Sequence, residues 1–172
     1  MPTVSSSLPR ASTVGRSILP VVFVAFLTGC HTYGSSEAIK SLPSDLKAAN
    51  ISDIEIKALP DGVSPEFREK LNTALVTETK KCATGGHALK LSVSIGRLTT
   101  ANAAQTILIG DSADIKGSAQ LIEPADGKVV GDYDINKSIG GGGVFAAIGM
   151  AGGEAKLANA FAAELCQQAF GR

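Results

Sequence analysis

Three cysteines and two histidines are the side chains of this 172-residue chain best suited to covalent chemistry or metal binding. A thiol can be acylated or oxidised to a disulfide, and a pair of imidazoles can bind a metal ion. Cys30 stands directly after an apolar run, whereas Cys82 and Cys166 stand far apart in the rest of the chain. The cysteines therefore divide into one candidate for modification and two candidates for a bridge.

The residues before Cys30 have the layout of an export signal. Two arginines are the only charges among residues 1–17, and residues 18–27 form an apolar core of 10 residues. A core of this length is too short to cross a bilayer but fits a signal peptide. The core ends in four residues that resemble the lipobox of bacterial lipoproteins, namely Leu27, Thr28, Gly29 and Cys30.

The lipobox resemblance implies a specific chemistry at Cys30. A signal peptidase would recognise Leu27, Thr28 and Gly29, the thiol would carry diacylglycerol, and the freed amine would take a third acyl chain. Two or three acyl chains give stable anchoring, and no other cofactor is expected. Residue 31 is His, not the Asp that favours the inner membrane, so the resemblance indicates the periplasmic side of the outer membrane. The alternative is an ordinary secreted protein with an unmodified Cys30.

Cleavage before Cys30 predicts three parts. Residues 1–29 are the signal peptide, residues 30–50 are the lipidated N-terminus with a tether of up to about 65 Å, and residues 51–172 are one periplasmic domain. Without the two signal arginines, 14 basic residues face 16 acidic ones, a net charge of −2. This balance, with 5% aromatic residues and no Trp, argues against nucleic-acid binding.

Alternating apolar residues predict the strands of the domain. The clearest strand spans Leu89 to Ile95, and others are expected from Ile51, from Ala113 and from Val129. Residues 99–105 are expected to form a loop, and residues 106–109 are assigned to the sheet.

Two apolar stripes predict amphipathic helices. The first stripe follows Ser64, and the second lies between Glu154 and Phe170. Their members are Phe67, Leu71, Ala74, Leu75 and Cys82, then Leu157, Phe161 and Leu165. The order β-α-β-β-β-α with short loops predicts an α+β two-layer sandwich, a mainly antiparallel sheet of about four strands with two helices on one face.

Several features resemble a family of small proteobacterial lipoproteins with a domain of unknown function, of the 4410 type. The shared features are the lipobox, the strand at Leu89–Ile95, the sequence Leu121-Ile122-Glu123 before the turn Asp126-Gly127-Lys128-Val129-Val130, and a glycine-rich run before an alanine-rich C-terminal helix. The resemblance covers most of the mature chain and carries no catalytic motif. It implies an envelope lipoprotein without a known activity.

Cys82 and Cys166 are candidates for a disulfide. Cys82 lies in the apolar stripe of the first helix, and Cys166 lies at the edge of the stripe of the last helix. The bacterial envelope is oxidising, which favours a bridge if the two helices pack side by side. The alternative is two separate buried thiols that pack as small apolar side chains.

A glycine-rich segment precedes the last helix. Glycines at 140–143 and 152–153 flank residues 144–151, which lack the Gly-Lys-Ser/Thr of a phosphate loop and are too short to span a membrane. The segment is either a linker whose apolar part packs on the core, or an exposed loop that enters lipid or docks on a partner. The candidate interaction residues are Val144, Phe145, Ile148 and Met150.

We expect no catalytic residue and no metal site. His87 and His31 form no metal-binding pair. The aspartates match no calcium loop and are expected on a solvated face; they are Asp111, Asp114, Asp126, Asp132 and Asp134.

The expected function is that of a non-enzymatic outer-membrane lipoprotein. It would act as a binding or accessory module in envelope assembly or maintenance, with an unknown envelope protein as partner. One alternative is a periplasmic hydrolase or ligand carrier with a pocket between helices and sheet, for which His87 and Asp111 are the candidates. The other is an inhibitor or immunity-type lipoprotein acting through residues 144–150.

Overall fold

The computed structural model describes residues 31–143, 148 and 152–171. Within these ranges, six strands form one sheet, and three α-helices accompany it. The strands are β1 (His31–Tyr33), β2 (Glu37–Lys40), β3 (Ala49–Ala58), β4 (His87–Thr99), β5 (Asp111–Ile122) and β6 (Val129–Gly141). The helices are α1 (Phe67–Cys82), α2 (Ala103–Leu108) and α3 (Gly153–Phe170), and a short 3-10 helix spans Ser44–Ala48.

The sheet is mostly antiparallel. Its order is β1-β6-β5-β4-β3, and β2 pairs with β6 beside β1. The β3–β4 pair is parallel, because α1 connects the two strands and carries the chain back to the starting end of the sheet. The α+β class with a mainly antiparallel sheet is confirmed, whereas the expected number of about four strands is wrong.

The two additional strands lie in the segment that the sequence indicated as a tether. β1 pairs with the end of β6, with His31 opposite Gly140, and β2 pairs further along β6, with Glu37 opposite Asp134. Leu42, which follows β2, is buried, and its N–H donates to Tyr133 Oη at 3.0 Å. The folded domain therefore includes His31 to Asn50, which the sequence assigned to the tether.

A bulge explains why the apolar alternation of the first predicted strand, β3, is imperfect. Ile51 pairs with Leu89 and Asp53 pairs with Lys90, so the pairing of β3 shifts by one residue at Ser52. A bulge of this kind inserts one extra residue, so the side chains after it alternate between the two faces of the sheet in the opposite phase. Ile51 and Ile54 can therefore both pack against the core although they are three residues apart.

The core lies between one face of the sheet and the helices α1 and α3. The members of both predicted helical stripes are buried, as are Leu89, Leu91, Val93 and Ile95 of β4. Phe67, Tyr133 and Phe161 are the largest of the fully buried side chains. Side chains thus fill the centre of this layer in the described part of the chain, and open grooves remain between α1 and β3, one of them lined by Ile54, Ile56 and Arg68.

The prediction for residues 99–109 is wrong, because the chain forms α2 there. Asn102 caps this helix: its side chain accepts hydrogen bonds from the N–H groups of Ala104 and Gln105 at 2.9 and 3.2 Å. Gly110 follows with a φ of +83°, a conformation that glycine adopts without strain. The turn of helix lifts the apolar residues 107–109 off the sheet.

Candidate functional site

His87 and Asp111, the candidates for a hydrolytic site, lie at opposite ends of the sheet. His87 begins β4, and its Nε2 lies 2.6 Å from Glu123 Oε2. Asp111 begins β5 beyond the other end of β4, where its carboxylate accepts from the N–H groups of Asn102 and Ser112 at 2.7 and 2.8 Å. The 13 residues of β4 separate the two side chains by about 40 Å, so the two residues do not share a site.

Asp114 lies among hydroxyl groups on the sheet face opposite the helices. It stands between Thr99 of β4 and Ser138 of β6 in the strand pairing. Its carboxylate accepts from Thr99 Oγ1 at 3.1 Å, from Ser112 Oγ at 3.3 Å and from Ser138 Oγ. These bonds tie three neighbouring strands together, a structural role for this aspartate.

Two of the remaining aspartates, Asp126 and Asp132, make separate local contacts. Asp126 Oδ1 accepts from the N–H of Lys128 at 3.0 Å within the β5–β6 hairpin turn. Asp132 accepts from Gln120 Nε2 at 3.0 Å across two strands. The predicted set of aspartates is therefore spread along the sheet.

The structure joins Cys82 to Cys166 by a disulfide with a Cα–Cα distance of 5.7 Å. Cys82 ends α1, and Cys166 lies in the last turns of α3. The bridge predicted from the sequence thus connects the C-terminal parts of the two helices that cover the core.

Glu154 fixes the opposite ends of the same helices. Its carboxylate accepts from Ser64 Oγ at 2.6 Å and from Lys70 Nζ at 2.7 Å. Burial opposes ionisation of Glu154, but these hydrogen bonds outweigh it and hold the pKa of the carboxyl below its usual value. Since the disulfide lies at the other ends, α1 and α3 run side by side in the same direction.

A second ion pair connects α3 to the sheet. Lys137 Nζ of β6 lies 2.8 Å from Glu164 Oε2, and both side chains are largely buried. Burial alone would raise the pKa of Glu164, but hydrogen bonds from Lys137 and Gln168 lower it below its usual value. This pair positions α3 over the edge formed by β6 and the short N-terminal strands.

The most unusual surface of the described residues is apolar and lies at the end of α2. Ile107, Leu108 and Ile109 are 46%, 81% and 81% exposed. No residue from 98 to 110 carries a charge. Large aliphatic side chains are seldom exposed in succession without a function, so this tip of α2 is the strongest candidate for an interaction surface.

Two other parts of the chain without charged side chains lie at this end of the sheet. The glycine-rich segment begins here, because the N–H of Gly143 donates to the Thr106 carbonyl at 3.0 Å. The described chain also begins here, since His31 lies opposite Gly140 in the next strand. Residues 31–36 and 138–153 contain no Asp, Glu, Lys or Arg.

Glycine residues permit the close contact of the end of β6 with the loop after α2 and with β1. A Cβ atom on Gly110 would lie 3.3 Å from the Gly141 carbonyl oxygen. The ring of Tyr33 occupies the space where a side chain of residue 140 would stand. A Cβ atom on Gly140 would lie 3.2 Å from this ring. Tyr33 is itself 54% exposed, so it adds an amphipathic ring to this end.

Of the predicted interaction residues, the structure describes Ile148, which is 67% exposed. Val144, Phe145 and Met150 lie outside the described residues, as do the signal-peptidase and lipidation residues Leu27, Thr28, Gly29 and Cys30. None of the helices in the described ranges has the length and apolar composition needed to cross a membrane.

The exposed tip of α2 is not among the interaction residues predicted from the sequence. We call this tip the apolar corner and define it as Ile107, Leu108 and Ile109. Three consecutive aliphatic residues before Gly110 were consistent with a strand. The available signal was the cap residue Asn102 together with the uncharged stretch that follows it.

A comparison with protein-family models gave no match, so the resemblance to the 4410-type family stays a prediction. A comparison with curated proteins also gave no match. Among solved structures, the chain is similar to PelC from Paraburkholderia phytofirmans, described as a dodecamer, with a TM-score of 0.51 and 12% identity over 80% of this chain and 99% of PelC. At this level of identity, the likeness shows a shared fold.

Two further solved structures are less similar. A protein of Xanthomonas campestris from the family DUF330 gives a TM-score of 0.49 at 12% identity, over 75% of this chain and 89% of its own. A candidate lipoprotein of Caulobacter crescentus gives 0.43 at 15% identity, over 64% of this chain and 84% of its own.

Proposed function

We propose that this protein is an envelope lipoprotein, anchored through Cys30 on the periplasmic side of the outer membrane, that acts as a non-enzymatic binding module in envelope assembly or maintenance. One observation carries the proposal: β1, with which the described chain begins, pairs through His31 with Gly140 at the end of the sheet where α2 exposes its aliphatic residues. Because Cys30 is joined to His31 by one peptide bond, acyl chains on Cys30 would be attached at this end.

The distribution of charge supports this orientation. The opposite end of the sheet carries His87, Glu123, Asp126 and Lys128, which favour water over lipid. The end at His31 carries exposed aliphatic side chains, and the carboxylate of Asp111 at this end accepts hydrogen bonds from backbone N–H groups. A protein held at a bilayer by acyl chains is expected to place its least polar end nearest the lipid.

The arrangement of polar side chains supports a binding role over catalysis. His87 is paired with Glu123, and Asp111 holds the loop before α2. A nucleophile, a base and an orienting group must lie within hydrogen-bond reach of one another, and these candidates do not.

Metabolic labelling with a palmitate analogue tests the lipid anchor. Wild-type protein should be labelled and processed, whereas Cys30→Ser should lose the label and accumulate as the longer precursor. The matched control is the double variant Cys82→Ser with Cys166→Ser, which should keep the label. Equal labelling of wild type and Cys30→Ser would contradict the proposal.

Membrane separation on a density gradient tests the location. The labelled protein should sediment with the outer membrane. Substituting His31→Asp should shift it toward the inner membrane if residue 31 acts as the sorting position. Recovery of the wild type with the inner membrane would refute this part of the proposal.

The first binding partner to test is a second copy of the chain. The PelC protein of similar fold is described as a dodecamer, and β3 has a strand neighbour on one side in the described chain. Light scattering on detergent-solubilised protein should give a mass several times that of the monomer if copies associate. A monomeric mass would direct the search to a different envelope protein.

A further inference from the structure

We infer that the apolar corner enters the bilayer interface beside the acyl chains of Cys30, so that the domain rests on the membrane without a spacer. The inference rests on the proposed lipidation of Cys30. It adds a second, independent contact with lipid, made by the side chains of Ile107, Leu108 and Ile109.

The composition of the corner fits lipid. Leu108 and Ile109 are the most exposed large aliphatic side chains of the described residues, at 81% each. Exposure of these two aliphatic side chains to water is unfavourable in free energy. Their burial in the bilayer interface removes that free-energy cost. The nearby Tyr33 ring is exposed on the same end, and tyrosine is enriched where protein meets the headgroup region.

The chain path places the corner close to the anchor. His31 lies opposite Gly140, which in turn lies opposite Ser112 near the start of β5. Two residues separate the end of α2 from the start of β5. Acyl chains on Cys30 would therefore enter the membrane within a few strand widths of Leu108, at about 5 Å per strand.

A rigid support keeps the corner in place. Asp111 accepts from the N–H of Asn102 at 2.7 Å, so the two ends of the α2 loop are joined. The Thr106 carbonyl accepts from Gly143, and the Thr106 side chain is fully buried. The exposed residues 107–109 therefore project from a fixed base.

Depth-dependent fluorescence quenching tests the inference on the full-length protein. Leu108→Cys supplies the single free thiol when Cys30 is acylated and Cys82 is bridged. We would label it with an environment-sensitive dye and reconstitute the protein into phosphatidylethanolamine–phosphatidylglycerol vesicles that contain spin-labelled acyl chains. The matched control is Ala125→Cys, an exposed residue in the β5–β6 turn at the opposite end.

We expect lipid-borne spin labels to quench the dye at residue 108 several-fold more than the dye at residue 125. Adding Ile109→Asp to the Leu108→Cys variant should lower the quenching to the level of the control, because a carboxylate opposes entry into lipid. Ile109 is exposed, so this substitution leaves the core unchanged.

Three other outcomes would overturn the inference. Equal, weak quenching at both sites with protein still bound to vesicles would leave the lipid anchor intact and refute the contact by the corner. A blue-shifted but unquenched dye at residue 108 would indicate burial against protein, such as a second copy. Loss of the protein from the vesicles, with no palmitate label, would refute the anchor and the inference together.

Discussion

At the scale of single residues, the partly buried carboxylates Glu154 and Glu164 form ion pairs with lysines. Glu154 and Glu164 each accept hydrogen bonds from a lysine, and both carboxyl groups have a lowered pKa. Their shared effect is to hold α3, the helix that follows the glycine-rich segment.

The ion pair between Glu154 and Lys70 makes the free energy of unfolding depend on pH. Because its pKa is lowered in the folded state, Glu154 contributes stability above the ordinary carboxyl pKa of about 4.3. That contribution is lost as the pH falls through the lower folded value. We expect Glu154→Gln to reduce the free energy of unfolding by about 1–2 kcal/mol at pH 7 and by less near pH 3.

Urea unfolding of both proteins at pH 7 and at pH 3 measures this difference. Glu69→Gln is the matched control, since Glu69 is an exposed carboxylate in the first turn of α1 and should change stability little at either pH. A loss that is the same at both pH values would show that the charge of Glu154 is not responsible.

Residue types alone predicted some of these contacts and not others. Cys82 and Cys166 could be paired because both are apolar-stripe residues in an oxidising compartment. The pairing of Glu154 with Ser64 joins residues 90 positions apart, and no local pattern indicates it. Charged residues are common on surfaces, so their partners depend on how the helices pack.

At the scale of elements, α1 and α3 form a layer fixed at both ends. Glu154 connects their N-terminal ends, and the disulfide connects their C-terminal parts. Between these points the apolar stripes pack on the sheet. The layer should therefore unfold as one unit with the sheet.

Removing the disulfide should lower stability substantially. The bridge spans a sequence separation of 84, for which chain entropy gives a stabilisation of about 4–5 kcal/mol as an upper figure. We expect the double variant Cys82→Ala with Cys166→Ala to lose about 2–5 kcal/mol in urea unfolding. Added dithiothreitol should destabilise the wild type by a similar amount and leave the double variant unchanged; an equal response of both proteins would argue against the bridge.

The sequence predicted the helices and strands that bury one apolar face against the core. It did not predict the elements that lack such a buried face. β4, β5, β6, α1 and α3 carry apolar alternation or stripes because they pack on one core. β1 and β2 have three and four residues and are held mainly by backbone pairing with β6. α2 exposes its apolar residues, which is the reverse of the usual pattern.

At the scale of the whole molecule, the pairing of residues 31–33 and 37–40 within the sheet changes the expected distance from the membrane. A tether of 20 residues could hold the domain up to about 65 Å from the bilayer. The pairing of β1 and β2 with β6 uses much of this length inside the domain. The proposed lipid anchor and the apolar corner then lie at the same end of the sheet.

Neutron reflectometry on the lipidated protein bound to a supported bilayer tests this account most directly. We predict a protein layer about 40 Å thick, the length of β4 or β5, in direct contact with the headgroups. A water-filled gap of tens of ångströms between the headgroups and the protein layer, of the size that a free tether of residues 30–50 allows, would contradict the account.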